Sequence, residues 1–319
     1  MDVLAYLRPP NDVLAASLLL ALLLDYIYPE HRGILLKLHP VHTCFVLAKR
    51  LGRPYSSRAR GVATWFICVL SHLAPYATLI ALARYFNPLI EVLVCAYVTK
   101  VSISIVLLLE IAKNARDYIA KGDLDSAKRY VQMIVRRDVG KLSEGHVISA
   151  AIESLAESFV DGFLSPMIYY VIFGPLGALI QRLANTLDGA LGFKTPEYRD
   201  VGWFSAKVDT ILNFVPARLA ALTIIFVGAI LGLDYKRGLR TWLKFRRATE
   251  SVNAGHPMSA MAGVLGVKLE KLGHYSLGEG SLPKVEHLDA AMKVISTSSS
   301  LWIAICLATL LIPLIRKFL

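Results

Sequence analysis

The chain has 319 residues, 55% of them hydrophobic and 18% charged, with a mean hydropathy of +0.52. Soluble domains average about 45–50% apolar residues, and the excess here lies in long runs, which excludes an ordinary soluble globule. The net charge of +11, from 35 Lys and Arg against 24 Asp and Glu, would suit nucleic acid. The basic residues cluster between the apolar runs instead, so no nucleic-acid partner is expected.

A membrane helix needs roughly 20 mostly apolar residues. The first run, 13–28, is shorter, but its flank MDVLAYLRPPND is barely basic and no small-residue cleavage site follows, so it reads as a retained span. A polar insertion, 29–60, then carries His39, Pro40 and Val41, followed by Lys49, Arg50, Arg53, Arg58 and Arg60 without an intervening acid after Lys49. Spans are expected at 61–83 and 88–109. The insertion 110–161 breaks at Gly122-Asp123, a plausible N-cap before the apolar stripe Leu124, Ala127, Val131, Ile134 and Val135. A second helix is expected from Ser143 to near Asp161-Gly162. Residues 162–183 contain Pro166 and Gly174-Pro175 and read either as a re-entrant hairpin or as a kinked span.

A polar insertion at 184–210, a span at 211–233, an insertion at 234–297 and a last span at 298–315 complete the chain. Lys236, Arg237, Arg240, Lys244, Arg246 and Arg247 follow the 211–233 run. Such basic loops are expected on the cytoplasmic side, and anionic lipid headgroups are a plainer partner for most of them than a ligand. Cys44, Cys68, Cys95 and Cys306 form no C-x-x-C pair and read as buried small hydrophobes. No internal repeat or low-complexity tract occurs. The expected architecture is all-α: a polytopic integral membrane helical protein, one domain over 1–319, with polar helical insertions between spans.

Three polar clusters stand out. In AAIESLAESFVDGFLSPMIYY, residues 150–170, Glu153, Glu157 and Asp161 fall four apart. At about 100° per residue, with Glu153 as zero, Glu157 lies at about 40°, Asp161 at about 80° and His146 at about 20°. Ser149 borders the same arc. The acids thus make one ridge, either a solvated face or a place for a cation that relieves the repulsion of like charges four apart. The second cluster, 185–218, holds Asn185, Asp188, Tyr198, Arg199, Asp200, Lys207, Asp209, Asn213 and Arg218. Its last two members enter an apolar span, where a snorkelling Arg218 competes with a functional one. The third, SVNAGHPMSAMAGVLG at 251–266, contains Asn253 and Gly255, and its small residues permit close backbone approach. Neither G-x-G-x-x-G nor the GxxxxGK[ST] phosphate loop is present.

The order of these pieces resembles the CobD/CbiB cobalamin-biosynthesis family, the adenosylcobinamide-phosphate synthases. The pieces are HPV at 39–41, GDLDSAKRYVQMIVRRD, ESLAESFVDGFLSP, NTLDGALGF with YRDVGWFSAKVDTILNFVPAR, and NAGHPMSAMAGVLGVKL. They run nearly the whole chain. Departures are YPEHRG where the family often has Gly-Asp-Pro before the His-Pro motif, Ser158 where Asn is common, and Val252 where Pro often precedes Asn-Ala-Gly. The first puts an N-terminal contact in doubt.

The resemblance implies an integral membrane protein, in keeping with the multi-pass cell-membrane chain read from the apolar runs; the basic loops and the availability of ATP favour a site facing the cytoplasm. It implies ATP-dependent amide formation between a corrinoid substrate, adenosylcobyric acid, and aminopropanol or aminopropanol phosphate. A related AmpE-type branch leaves a non-catalytic signalling protein as an alternative, and a transporter is another, although many transporters show internal repeats. Other cobalamin-assembly enzymes are candidate partners, and the oligomeric state stays open.

That reaction needs ATP as cosubstrate and Mg2+ against its phosphates. Glu153, Glu157 and Asp161 suit Mg2+, or one of them suits the base. Arg136, Arg137, Arg199, Lys207 and Arg218 suit phosphate or carboxylate recognition. Asp138, Asp188, Asp200 and Asp209 suit orienting those cations or completing a metal shell. His39 and His146 are candidate proton carriers. Asn185, Tyr198, Asn213, Asn253 and Gly255 complete the candidate substrate- and phosphate-binding set.

Overall fold

A computed structural model describes residues 8–315. In chain order the helices are α1 (Asn11–Ile27), α2 (Gly33–Lys37), α3 (Pro40–Leu51), α4 (Arg58–Phe86), α5 (Pro88–Lys100), α6 (Val106–Ala120), α7 (Leu124–Gln132) and α8 (Glu144–Phe159). A π-helical turn, Val160–Leu164, leads to α9 (Ser165–Phe173), α10 (Pro175–Leu191), α11 (Trp203–Leu212), α12 (Phe214–Ile230), α13 (Tyr235–Phe245) and α14 (Gly255–Leu265). The small hairpin β1 (Leu269–Lys271) and β2 (Tyr275–Leu277) precedes the last helix, α15 (Val285–Ile315). The fold is helical, as expected, and α4 and α15 are each long and apolar enough to cross a membrane. A third crossing is counted if α11 and α12 form one broken span.

Two of the expected spans are divided. The run 88–109 breaks after Lys100, leaving α5 with 13 residues, about 20 Å of helix against a hydrocarbon core of about 30 Å. The run 162–183 breaks at Gly174, whose φ of +74° is left-handed, with Pro175 opening α10. A Cβ on Gly177 would lie 2.6 Å from both Phe173 Cβ and the Tyr169 carbonyl. The α9 and α10 arms therefore fold against each other as a hairpin instead of continuing as one kinked rod.

The described residues group into two compact units: 8–104 with 165–212 and 303–315, and 105–164 with 213–302. The first unit is built around α10. Leu179, Leu183, Leu187 and Leu191 pack with Cys44 and Ala48 of α3, Cys68 of α4, and Cys95 and Val98 of α5. All four cysteines are free and buried, consistent with their reading as small apolar groups. Caps follow local chemistry: Pro40 and Pro88 open α3 and α5 behind His39 and Asn87, whose side chains accept the N–H groups of Val41 and Leu89.

Gly202 sets a close approach in this unit. A Cβ there would lie 1.9 Å from the Leu191 carbonyl oxygen and 2.9 Å from that of Tyr198, and backbone atoms cannot step aside as a side-chain tip can. Gly202→Ala is expected to destabilise the protein by about 1–3 kcal/mol, read as a lowered melting temperature in detergent. An unchanged melt would contradict this packing.

In the second unit α12, α13 and α14 approach closely through glycines. Cβ atoms on Gly228 and Gly238 would lie 2.9 and 2.6 Å from Val264 Cγ1, and one on Gly263 would lie 2.7 Å from Gly238 Cα. Asp123 caps α7 and Asp234 caps α13, each carboxylate accepting a backbone N–H three residues on at 2.9 Å. In β1 and β2 the antiparallel register pairs Leu269 with Leu277 and Lys271 with Tyr275, around a turn at Gly273, φ +73°.

Candidate functional site

Helix α8 starts where Ser143 predicts, although Ser143 does not cap it by a side-chain bond; its hydroxyl instead meets His146 Nδ1 at 2.7 Å. Most of the helix is buried, because Val147, Ile148, Ala151, Ile152 and Leu155 fill the unit's interior. The acid ridge therefore crosses three environments. Glu153 is 4% exposed. Its Oε1 accepts from Arg137 Nη2 at 2.9 Å and Ser149 Oγ at 2.7 Å, and its Oε2 accepts from the Tyr275 hydroxyl at 2.7 Å. Glu157 is exposed one turn on, and Asp161 is half-buried in the π turn, where the wider helical repeat ends the simple wheel.

The β hairpin supplies partners that no motif in the sequence marks. Ser149 Oγ accepts the Glu270 N–H at 2.8 Å, and the Glu270 carboxylate meets His146 Nε2 at 3.1 Å and Lys268 Nζ at 3.2 Å. The bonds from His146 and Lys268 hold Glu270 below the usual carboxylate range. Burial, then the charge of Glu153 and more distantly Glu157, push the Tyr275 phenol well above its ordinary value, so it stays a neutral donor. One network thus runs from Arg137 to Glu153, which also holds Tyr275, and on through Ser149 to Glu270, Lys268 and His146.

Beside it lies a cavity of about 200 Å³ whose lining includes Arg137, Asp138, Leu142, Glu270, Lys271 and His274. Arg136 and Asp138 are exposed, and Asp138 accepts the Gly140 N–H at 2.8 Å, closing the turn that leads from Arg137 towards α8. Among the described residues, no group of three or more His, Cys, Asp or Glu side chains is disposed to hold a metal ion. Glu153, expected beside Glu157 and Asp161 as a ligand, directs both oxygens to protein donors.

A second polar corner of the same unit joins α12 to the turn before α14. Arg218 Nη1 donates to the Phe214 carbonyl at 2.6 Å and to Asn253 Oδ1 at 3.0 Å, and its guanidinium lies 3.4 Å from the centre of the Phe214 ring. Asn213 is buried just before α12. Gly255 does permit a close approach, but to the protein itself: its Cβ would lie 2.5 Å from the Arg246 carbonyl.

His256 Nδ1 accepts from Trp242 Nε1 at 3.0 Å, so that nitrogen is unprotonated. Burial, then the charges of Arg218, Arg246 and Arg247, hold the imidazole down to about 4 from its ordinary 6.5. A histidine whose folded pKa is depressed contributes stability above its unfolded pKa and loses it as pH falls. Melting temperature in detergent is therefore expected to drop between pH 6.5 and about 4, and His256→Gln is expected to flatten part of that drop. Parallel losses in both proteins would remove His256 as a cause.

The first unit holds the remaining candidates. Asn185 Nδ2 donates to Asp209 Oδ1 at 3.2 Å, joining α10 to α11. Tyr198 OH accepts from Lys49 Nζ at 3.2 Å, and the same ammonium lies 4.4 Å from its ring centre. Asp200 pairs with Arg58 at 3.1 Å where both are well exposed, a contact worth little to stability. Asp188 is half-buried, and its carboxylate fills the space where a Cβ on Gly192 would lie. Arg199 and Lys207 are exposed. His39 Nδ1 accepts the Val41 N–H at 3.2 Å, and its ring meets His31 edge-on at 4.7 Å. Burial first, then His31 and nearby basic groups, hold its pKa down to about 3.

The motif order noted in the sequence is matched by comparison with known proteins. The family described as CobD/Cbib protein matches residues 18–302. The chain belongs to the CobD/CbiB family. A relative in Aeropyrum pernix, named probable cobalamin biosynthesis protein CobD, is 49% identical over 275 residues, covering 86% of each chain. A protein of the same name in Thermoplasma volcanium is 34% identical over 297 residues, 92% of this chain and 96% of that one. Another in Methanothermobacter thermautotrophicus is 34% identical over 268 residues, 82% of this chain and 86% of its own. No solved structure matches.

Proposed function

We propose that this CobD/CbiB protein acts in cobalamin biosynthesis as an ATP-dependent acid–amine ligase. It would join adenosylcobyric acid to aminopropanol or aminopropanol phosphate, giving adenosylcobinamide or its phosphate. Family membership and the relatives' names support the pathway. The observation that carries the chemistry is the contrast along α8, a buried and fully partnered Glu153 followed by the more accessible Glu157 and Asp161.

A carboxylate does not condense with an amine at neutral pH because oxide is too poor a leaving group. In the proposed reaction the corrinoid carboxylate oxygen attacks the γ-phosphorus of ATP and ADP leaves. The amine nitrogen then attacks the acyl carbon, phosphate leaves, and the nitrogen gives up a proton. Mg2+, bound by Glu157 and Asp161 together with phosphate oxygens and water, would neutralise polyphosphate charge; one or two carboxylates with substrate phosphates are its usual set. Glu153 fixes Arg137, and the Tyr275 hydroxyl and Ser149 hold Glu153 in turn. Arg136, Lys271 and His274 are assigned to anionic substrate groups. Asn185, Lys207, Arg199 and Tyr198 are assigned to substrate contacts within the first unit. The protein is read as multi-pass with its chemistry on the cytoplasmic side, where ATP is available and the basic loops belong.

Complementation tests this reading against its rivals. The gene is expected to restore corrinoid-dependent growth to a strain lacking cobinamide synthesis, and Glu157→Gln is expected not to. Failure of the parent gene despite normal membrane expression would favour a signalling role. Counterflow of labelled substrate in proteoliposomes would favour a transporter.

A further inference from the structure

Helix α13 has three faces of different character. Gly238, Thr241 and Trp242 are buried in the contact with α14. With Tyr235 as zero at about 100° per residue, these residues occupy about 240–340°. Tyr235, Leu239 and Leu243 come next, at about 0–80°, and are 46%, 42% and 51% exposed. Lys236 and Arg240 follow at about 100° and 140°, both exposed, with the exposed Arg247 just beyond the helix end. Other cations of this helix are committed within the protein: Lys244 pairs with Glu279, and Arg237 donates to the Gly263 carbonyl.

The preceding helix continues the pattern. Leu222, Phe226 and Ile230 form an exposed row along α12, at 48%, 56% and 61%, in a helix counted with α11 as a candidate span. Five residues after Ile230 the exposed apolar row of α13 begins at Tyr235, now bordered by cations. A row suited to hydrocarbon thus leads into an amphipathic row suited to the headgroup layer.

We propose that α13 is an interfacial helix that docks on an anionic lipid surface. Tyr235, Leu239 and Leu243 enter the boundary between headgroups and acyl chains, while Lys236, Arg240 and Arg247 meet lipid phosphates. Long basic side chains can do both, laying their methylenes along apolar surface with the charge in the polar layer. The commitment to lipid over protein rests on the basic border and on continuity with the exposed row of α12. Because Gly238, Thr241 and Trp242 seat α14 from the neighbouring face, the exposed row docks while that packing stays in place.

The test uses the full chain in nanodiscs, with Leu239→Cys carrying an environment-sensitive fluorophore and Leu243→Cys as a second site; the native cysteines are buried. With phosphatidylglycerol mixed into phosphatidylcholine, the label is expected to shift to the blue. It is also expected to be quenched by acyl-brominated lipid and to become protected from iodide. Lys236→Glu and Arg240→Glu, both at exposed positions, are expected to weaken the anionic preference about five-fold for each cation removed. Equal iodide quenching with and without phosphatidylglycerol would overturn the proposal. So would protection that persists in zwitterionic discs with a doubled particle mass, which would assign the face to a second copy. The readout needs no turnover, so either result leaves the ligase reading to its own test.

Discussion

Glu157→Gln is expected to lower amide formation by at least about a hundredfold, whether the carboxylate helps hold Mg2+ or accepts a proton. The substitution keeps the size of the side chain, removes its charge and turns one accepting oxygen into a donating NH2. Glu157 is exposed on α8, so the unfolding free energy in detergent should stay within the change of an ordinary surface substitution, about 0.5 kcal/mol. Rate and melt measured on the same preparation separate the two effects. Near-normal turnover would remove Glu157 from both roles, and a collapsed melt would turn the lost activity into a folding effect.

Glu153 is expected to behave in the opposite manner. Its side chain is 6% exposed and that of its partner Arg137 is 16% exposed. Glu153→Ala leaves a half-buried guanidinium without its carboxylate and strips Ser149 and Tyr275 of their acceptor. Breaking such a pair from one side costs about 3 kcal/mol, mostly the penalty of a stranded charge. Replacing both partners, Glu153→Leu with Arg137→Met, should therefore destabilise by less than the two single changes together. Chemical or thermal unfolding in detergent measures this. If Glu153→Ala unfolds like the parent, the network is not holding α8 to the hairpin. A direct metal role for Glu153 would then regain weight.

These two acids show how far a linear reading reaches. Glu153 and Glu157 share a sequence environment and one arc of the helical wheel, yet one is buried and one exposed, because the wheel reports angle and not what covers it. The cover comes from a hairpin far along the chain: Ser149 meets Glu270 across 121 positions, and Glu153 meets Tyr275 across 122. Local periodicity carries no signal for such contacts. A reading of YSL after the turn at Gly273 as a strand could have marked Tyr275, though not its partner.

Features governed by short-range chemistry were more accessible. Asp123 marks the start of α7 and Ser143 the start of α8, and Gly174-Pro175 marks a break whose hairpin geometry needed the packed structure to resolve. The small residues at 251–266 mark close approach, and the approach the structure shows is to α13 and the residues just after it. The division into two compact units left no trace in composition, since both interleave along the chain and both mix apolar with polar helices.

Ligase activity is read by mass spectrometry on purified protein in detergent, supplied with ATP, Mg2+, adenosylcobyric acid and aminopropanol phosphate. An amide product is expected whose mass equals the two organic substrates less water, with ADP released in step with it and no product when ATP is omitted. Absence of amide, under conditions where a known synthase forms it, would contradict the account.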